Sequence, residues 1–392
     1  MSKVKKFSNG IIVLFCVLTF ILGFVGGFVG YAYLTLPNDS DIYVSGDLAF
    51  HFLELGNANT GDCTFVKVGN TEVLIDAGSK VDSAAVITNY ISEYIEDGVL
   101  EYVVVTHAHE DHYAGFATNE TTNSLFDIFE VGTIIDFAQI TSGKSTQKMY
   151  NNYIRERQAE IDNGAKHYTA LDCVKSTNGA QPTFELSSSV TMSILYHRFY
   201  EEVAESENDH SVVTLFTQGD NNFLFTGDLE REGEESLAAS NELPHCKLYK
   251  AGHHGSKTSS HEVMLAEISP EIVCVCCCAG NVEYLNKVPQ NLNNSFPTQE
   301  FIDRISIYTD KVYVTTLGYI VLQEYEEDGE TKTKWVNEKD GNGKDKFSSF
   351  NGNIVVTSNR SGVEVNCSNN NTILKDTDWF RDNRTMPSAW AN

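Results

Sequence analysis

An α/β fold is predicted by two features of the 392-residue chain: apolar runs of strand length alternate with helical stripes, and several runs end on an acid or a histidine. Strand-like runs occupy 48–55, 63–68 and 72–75, the last two joined by a Gly69-Asn70 turn. Ile87, Ile91, Tyr94 and Ile95 then fall on one face of a helix that Asp82 or Ser83 can cap and Gly98 can end. The apolar run 102–105 leads straight into a histidine-rich segment. Beyond a charged insertion the strand pattern resumes at 190–196, 212–218 and 223–225, with helices near 261–268 and 298–307. Two halves of strands with helices outside predict a four-layer α/β/β/α sandwich, its ligating residues on loops at one edge.

The chemistry concentrates at Thr106-His107-Ala108-His109-Glu110-Asp111-His112. Imidazoles two residues apart, on a turn leaving a strand, can close on one ion, while the adjoining Asp-His pair turns towards a second. Two ions about 3.5–4 Å apart can share a water and lower its pKa. Phe223-Leu224-Phe225-Thr226-Gly227-Asp228 is an apolar strand ending in an acid, so the Asp228 carboxylate can bridge both ions. Leu248-Tyr249-Lys250-Ala251-Gly252-His253-His254-Gly255-Ser256 runs a short strand into a glycine-flanked histidine pair, one member of which is expected to ligate. Asp76, at the end of Val73-Leu74-Ile75, is better placed to orient the histidine loop by accepting its hydrogen bonds than to bind metal. The competing explanation, a chance cluster of solvated polar residues, fails because imidazole and carboxylate meet at this density mainly where a cation offsets their burial.

These segments resemble the metallo-β-lactamase superfamily: Leu74-Ile75-Asp76-Ala77-Gly78, the 107–112 histidine cluster, Thr226-Gly227-Asp228 and His253-His254-Gly255-Ser256 look like its motifs, in order. Within it the chain is most similar to the soluble nuclease-like domain of ComEC-type DNA-internalisation competence proteins. That likeness is carried by Phe52-Leu53-Glu54-Leu55-Gly56, Gly61-Asp62, Asn208-Asp209-His210-Ser211-Val212-Val213, the 250–256 stretch and Ser269-Pro270-Glu271-Ile272-Val273. The resemblance implies His107, His109, Asp111, His112, Asp228 and His253 as ligands of two divalent metal ions, with a metal-bound hydroxide as nucleophile. It also implies catalytic roles for Asp111, His254 and Lys250, the last two facing the substrate's anionic oxygens. The nitrogen and oxygen donors suit Zn2+ best, with Mn2+ also accepted. Two departures stand out. Where many members place a further histidine ligand this chain has Asn208-Asp209-His210-Ser211, in which His210 could fill that place, and Asn293-Asn294-Ser295-Phe296-Pro297 lacks the histidine of the subgroup's corresponding run.

Residues 11–36 contain no charge, enough at 1.5 Å per residue to span a hydrocarbon core of about 30 Å. Lys3, Lys5 and Lys6 precede them and Asp39 and Asp41 follow. The positive-inside bias therefore predicts a cytoplasmic N-terminus (1–10), an uncleaved transmembrane signal anchor (11–36), an extracellular metallo-β-lactamase-like domain (47–365) and a C-terminal tail (366–392). A cleaved signal peptide, and so a secreted protein, is the alternative. The net charge of −26 repels nucleic acid and anionic membrane at range, so a nuclease role needs local attraction at the ions and Lys250. Lys144, Lys148, Arg155, Arg157, Lys166 and Lys175 alternate with Glu156, Glu160 and Asp162, which predicts a solvated helical face over one rim of the site. Cys274, Cys276, Cys277 and Cys278 lie inside an apolar run of strand length and read as buried thiols, not a second metal centre. Strands are expected at 312–325, 332–336 and 354–365, and Trp379, Phe380 and Trp390 are candidates to dock the tail.

The function expected is a membrane-anchored two-metal hydrolase of phosphoester bonds, above all phosphodiesters, acting on nucleic acid or a cell-wall polymer. An amide or lactam hydrolase on the same fold, and a surface binding protein with a vestigial metal site, are the alternatives.

Overall fold

The computed structural model describes residues 48–117, 122–281, 285–286, 291–359 and 362–391, so the expected anchor at 11–36 lies outside the described residues. Among the described residues no helix is long and apolar enough to cross a membrane. One sheet contains β1 (Leu48–Phe52), β2 (Thr64–Val68), β3 (Thr71–Ile75), β4 (Val99–Val105), β5 (Glu130–Asp136) and β6 (Lys166–Thr169). The other contains β7 (Thr183–Glu185), β8 (Val190–Leu195), β9 (Val213–Gln218), β10 (Asn221–Phe225), β11 (Leu248–Lys250), β12 (Ile272–Ala279) and β13 (Val312–Gly318). After a separate ribbon, β14 (Ile320–Glu327) and β15 (Glu330–Asn337), strand β16 (Phe347–Ser349) completes the second sheet, and β17 (Ile354–Asn359) and β18 (Gly362–Cys367) complete the first. The orders are β18-β17-β1-β2-β3-β4-β5-β6 and β16-β13-β12-β11-β10-β9-β8-β7.

Strand alternation sorts side chains between two kinds of interface. Phe50 of β1 meets Phe216, Phe223 and Phe225 of the second sheet with ring centroids 4.8–5.3 Å apart, an aromatic seam between the sheets. Burying each ring contributes about 1.5–3 kcal/mol. The next residue, His51, faces the other way, against Tyr90 of helix Ser83–Ile91. Leu224, between Phe223 and Phe225, likewise turns outward and packs with Leu237, Met264, Leu265 and Ile268 of the covering helices. The architecture is therefore a metallo-β-lactamase-like α/β fold of two facing sheets with helices outside. Strands β3–β6 and β10–β13 run parallel, which brings the ends of β3, β4, β10 and β11 to one edge, where the candidate ligands sit.

Several elements differ from expectation. The stripe through Ile95 is helical only to Ile91; Asp82 makes no cap hydrogen bond, and Ser83 Oγ instead accepts from the Ser79 and Lys80 N–H groups. The run 312–325 is two strands broken at Tyr319, because β13 pairs in the second sheet while β14 leaves it for the ribbon. The run 354–365 is likewise two antiparallel strands. The second sheet's helix Arg231–Ser240 carries too little apolar surface to show as a stripe, and β5 hides behind Gly132. Cys274, Cys276 and Cys278 are buried in β12, as expected. Trp390 and Phe380 pack together at 5.7 Å, and Trp390 Nε1 donates to the Thr309 carbonyl, so the tail is part of the core.

Candidate metal centre

Each loop that carries a candidate ligand leaves a strand abruptly, and glycine permits the close approaches. A Cβ on Gly78 would stand 1.6 Å from the Asp111 carbonyl oxygen, so only glycine lets the β3 loop lie against the histidine loop. Gly227 has φ of 54° and lies against Ser211 and Thr106, which turns Asp228 into the cluster. His253 and His254 both adopt left-handed backbone, φ 46° and 54°, an uncommon conformation for non-glycine residues that separates the two rings.

Asp228 is the hub. Its Oδ2 lies 3.1 Å from His112 Nε2, 3.2 Å from His254 Nε2 and 3.9 Å from His253 Nε2. His254 Nε2 also stands 3.3 Å from Asp111 Oδ2, while His107 Nε2 faces His109 Nδ1 at 3.0 Å. The far sides of these rings are held by oxygen atoms. His112 Nδ1 meets Asp76 Oδ2 at 2.8 Å, His254 Nδ1 the Cys276 carbonyl at 2.8 Å, His253 Nδ1 Thr258 Oγ1 at 2.9 Å and His107 Nδ1 Thr106 Oγ1 at 3.1 Å. A proton placed on Nδ1 by such an acceptor leaves the Nε2 lone pair directed at the cluster. Asp76 itself accepts from the Thr106 N–H and O–H, both at 2.8 Å, the orienting role expected of it.

The electrostatics call for positive charge. Asp62, Asp76 and Asp228 are buried and Asp111 is half-buried, with Lys250 the buried lysine among them. Burial works against ionising Asp228, yet His112, His254 and His253 outweigh it and hold its carboxyl well below the usual range. Burial likewise opposes protons on His112 and His254, but Asp228 with Asp76 and Asp62 hold both far above an ordinary imidazole. Asp228 Oδ1 is buried without a hydrogen-bond partner. Buried atoms of this kind, donors all nitrogen and oxygen, fit divalent cations. Asp111, His112 and His254 form one candidate ligand group, and His107, His112 and Asp228 another. A cleft of about 360 Å³ opens on them, lined by His109, Glu110, Asp111, Asn208, Asp228 and His253 among others.

The structure thus gathers His107, His109, Asp111, His112, Asp228, His253 and His254 in one place, with four revisions. His254, expected to face substrate, is fully buried between Asp111 and Asp228, whereas His253, expected as ligand, reaches the cleft wall. Lys250 is not free for substrate either. It is buried, its ammonium paired with Asp62 and 3.7 Å from Asp228 Oδ1, because three buried groups there need a counter-charge. His210 turns away: its Nε2 accepts the Ala204 N–H at 2.9 Å. Of the charged insertion, helix Lys148–Asn163, Arg157 is not solvated but paired with buried Asp136. Asp62 and Ser211 were visible in the sequence only as parts of motifs. Asp62 lies 3.3 Å from His254 Nδ1, and Ser211 Oγ accepts the Asp228 N–H at 3.0 Å.

Comparison with known proteins agrees. A family profile for the metallo-β-lactamase superfamily matches residues 56–118. Recombination protein 2 of Haemophilus influenzae is 37% identical over 73 residues, 19% of this chain and 9% of that protein. Competence protein ComA of Neisseria gonorrhoeae is 26% identical over 250 residues, 63% of this chain and 28% of that protein. The chain thus spans well under a third of the length of these curated relatives. Among solved structures it is similar to the metallo-β-lactamase fold protein YhfI of Bacillus subtilis, with TM-score 0.37 and 10% identity over 68% of this chain and 95% of that one. Residues 56–118 thus carry a match to the metallo-β-lactamase superfamily, and the chain is similar to proteins named for recombination and competence.

Proposed function

We propose that this protein is a two-metal hydrolase of phosphoester bonds, with phosphodiesters as its substrate class. The observation that carries the reading is the convergence on Asp228 of imidazoles whose far nitrogens are tied down, at the floor of an open cleft. His107, His109, Asp111, His112, Asp228 and the His253–His254 pair would hold the ions, and their nitrogen and oxygen donors suit zinc. Bound there, a pair of divalent ions supplies Lewis acidity and a water of lowered pKa. The protein's own contribution is preorganisation: Asp76 and the Cys276 carbonyl fix two rings, Ser211 fixes the Asp228 backbone, and Lys250 with Asp62 keeps the buried carboxylates in place. His253, Asn208 and Asp111 face the cleft, where a substrate's oxygens can be oriented. Relatives named for recombination and competence support nucleic acid as the phosphodiester.

We further propose that residues 11–36 anchor this domain, 47–365, outside the membrane, a reading supported by the uncharged stretch and its flanking lysines. Resistance to alkaline extraction, with sensitivity to external protease, is the expected behaviour; release by carbonate would refute it. The chemistry is tested by incubating purified protein, with and without chelator, against bis(nitrophenyl) phosphate, single-stranded DNA and a chromogenic lactam. Chelator-sensitive turnover of the phosphodiesters is expected. Turnover of the lactam alone would overturn the phosphoester reading, and stoichiometric metal without any turnover would favour a binding role.

A further inference from the structure

Glu207 is a buried carboxylate outside the ligand set, and it touches three parts of the molecule at once. Its Oε1 accepts from the Ala108 N–H at 3.4 Å, inside the His107–His109 loop, and lies 3.4 Å from His210 Nδ1. Its Oε2 accepts from the Thr141 N–H at 2.7 Å and the Thr141 hydroxyl at 2.6 Å, on the loop that leads from β5 into helix Lys148–Asn163. Because His210 Nε2 accepts from Ala204, its proton sits on Nδ1 and points at Glu207. Every partner of this carboxylate is therefore a donor, and both oxygens must be acceptors. An amide could satisfy one side only.

The same loop carries half-buried Lys144, whose field reaches His109 on one side and Glu207, Asp111 and Glu110 on the other. The loop thus borders the histidine cluster through Thr141 and Glu207. We infer that Glu207 is a positioning residue that couples residues 137–147, the outer rim of the histidine cluster, to the histidine loop, so that ion occupancy of the centre and ordering of this rim are linked. The inference rests on the metal-centre reading. Linkage of this kind is reciprocal: whatever tightens the histidine loop steadies the rim, and the reverse.

The test uses the full chain, with Zn2+ as the probe. Amide hydrogen exchange across 137–147 should slow about 5-fold or more on zinc loading in the wild type. In E207Q that response should disappear while the number of zinc ions bound is unchanged. With bis(nitrophenyl) phosphate, E207Q should raise KM about 10-fold with kcat changed less than about twofold, a split that a loss of folded protein would not produce. Should E207Q fold poorly, T141V removes one of the four donors and should halve the zinc response. A wild-type rim whose exchange ignores zinc, or an E207Q rim that still responds, overturns the coupling. If the wild type hydrolyses no phosphodiester, the functional proposal falls while the exchange comparison still decides the role of Glu207.

Discussion

Replacing Asp76 by asparagine tests how the centre is oriented without changing its shape. Asp76 sits at φ 58°, a left-handed conformation that asparagine tolerates as well as aspartate, so the backbone should be undisturbed. Its Oδ1 accepts the Thr106 N–H and its Oδ2 meets both Thr106 Oγ1 and His112 Nδ1, all at 2.8 Å. An asparagine must keep its oxygen towards the Thr106 N–H, which sets its NH2 group against Thr106 Oγ1 and His112 Nδ1. The hydroxyl can turn to accept, but the imidazole must give up its Nδ1 proton and carry it on Nε2, the nitrogen 3.1 Å from Asp228. Loss of an orienting partner of this type costs about 10–100-fold in metal affinity, or roughly 1.4–2.7 kcal/mol. Stability without metal should change by less than about 1.5 kcal/mol, because burial already raises the Asp76 pKa and a neutral amide escapes that cost. Zinc affinity measured by competition with a chelating dye, beside denaturant unfolding in chelator, separates the two quantities. Zinc affinity within twofold of wild type would refute the argument that Asp76 directs the His112 lone pair.

Three further outcomes are expected. Lys250→Met, which leaves Asp62 and Asp228 without their buried cation, should destabilise the protein by about 3–5 kcal/mol in urea unfolding; adding Asp62→Asn should recover part of the loss, and no recovery would show the pair to be uncoupled. Arg304→Ala removes hydrogen bonds to the carbonyls of Lys257, Ser259 and Ser260, at 2.7–3.0 Å, that pin the loop after the histidine pair, and should cost about 3 kcal/mol; an unchanged urea midpoint would contradict this. Burial pushes His51 down to about 3 and His197 to about 4, from 6.5. Below pH 6.5 the unfolded chain binds these protons and the folded chain does not, so these two histidines make stability fall as pH drops from 6.5 towards 4, together contributing a slope approaching two protons, roughly 2.7 kcal/mol per unit. Unfolding curves at pH 7, 6 and 5 check this, and His51→Phe should remove about one proton from the slope, roughly 1.4 kcal/mol per unit.

Strand ends were legible because the signal is local: an apolar run followed at once by an acid or histidine places Asp76, His107, Asp228 and the 253–254 pair with no knowledge of the rest. Which histidine of that pair points inward was not, because it follows from two successive left-handed residues, held by contacts with Thr258 and the Cys276 carbonyl from outside the pair. Lys250 was read as facing the substrate since nothing nearby in sequence neutralises it; Asp62 does so from 188 residues away. The run 312–325 looked continuous because both pieces favour extended backbone, and only sheet membership separates them.

By itself the sequence determined the α/β class, the order of the ligating segments and the expectation that they meet, since periodicity and motif are properties of neighbouring residues. Only the tertiary structure decided which nitrogen faces which oxygen, that Lys250 supports the centre from beneath, that His210 belongs to Ala204 and Glu207, and that the insertion reaches the histidine loop through one carboxylate. Those are pairings between residues remote in the chain, and the burial that makes each of them necessary exists only once the two sheets have closed on one another.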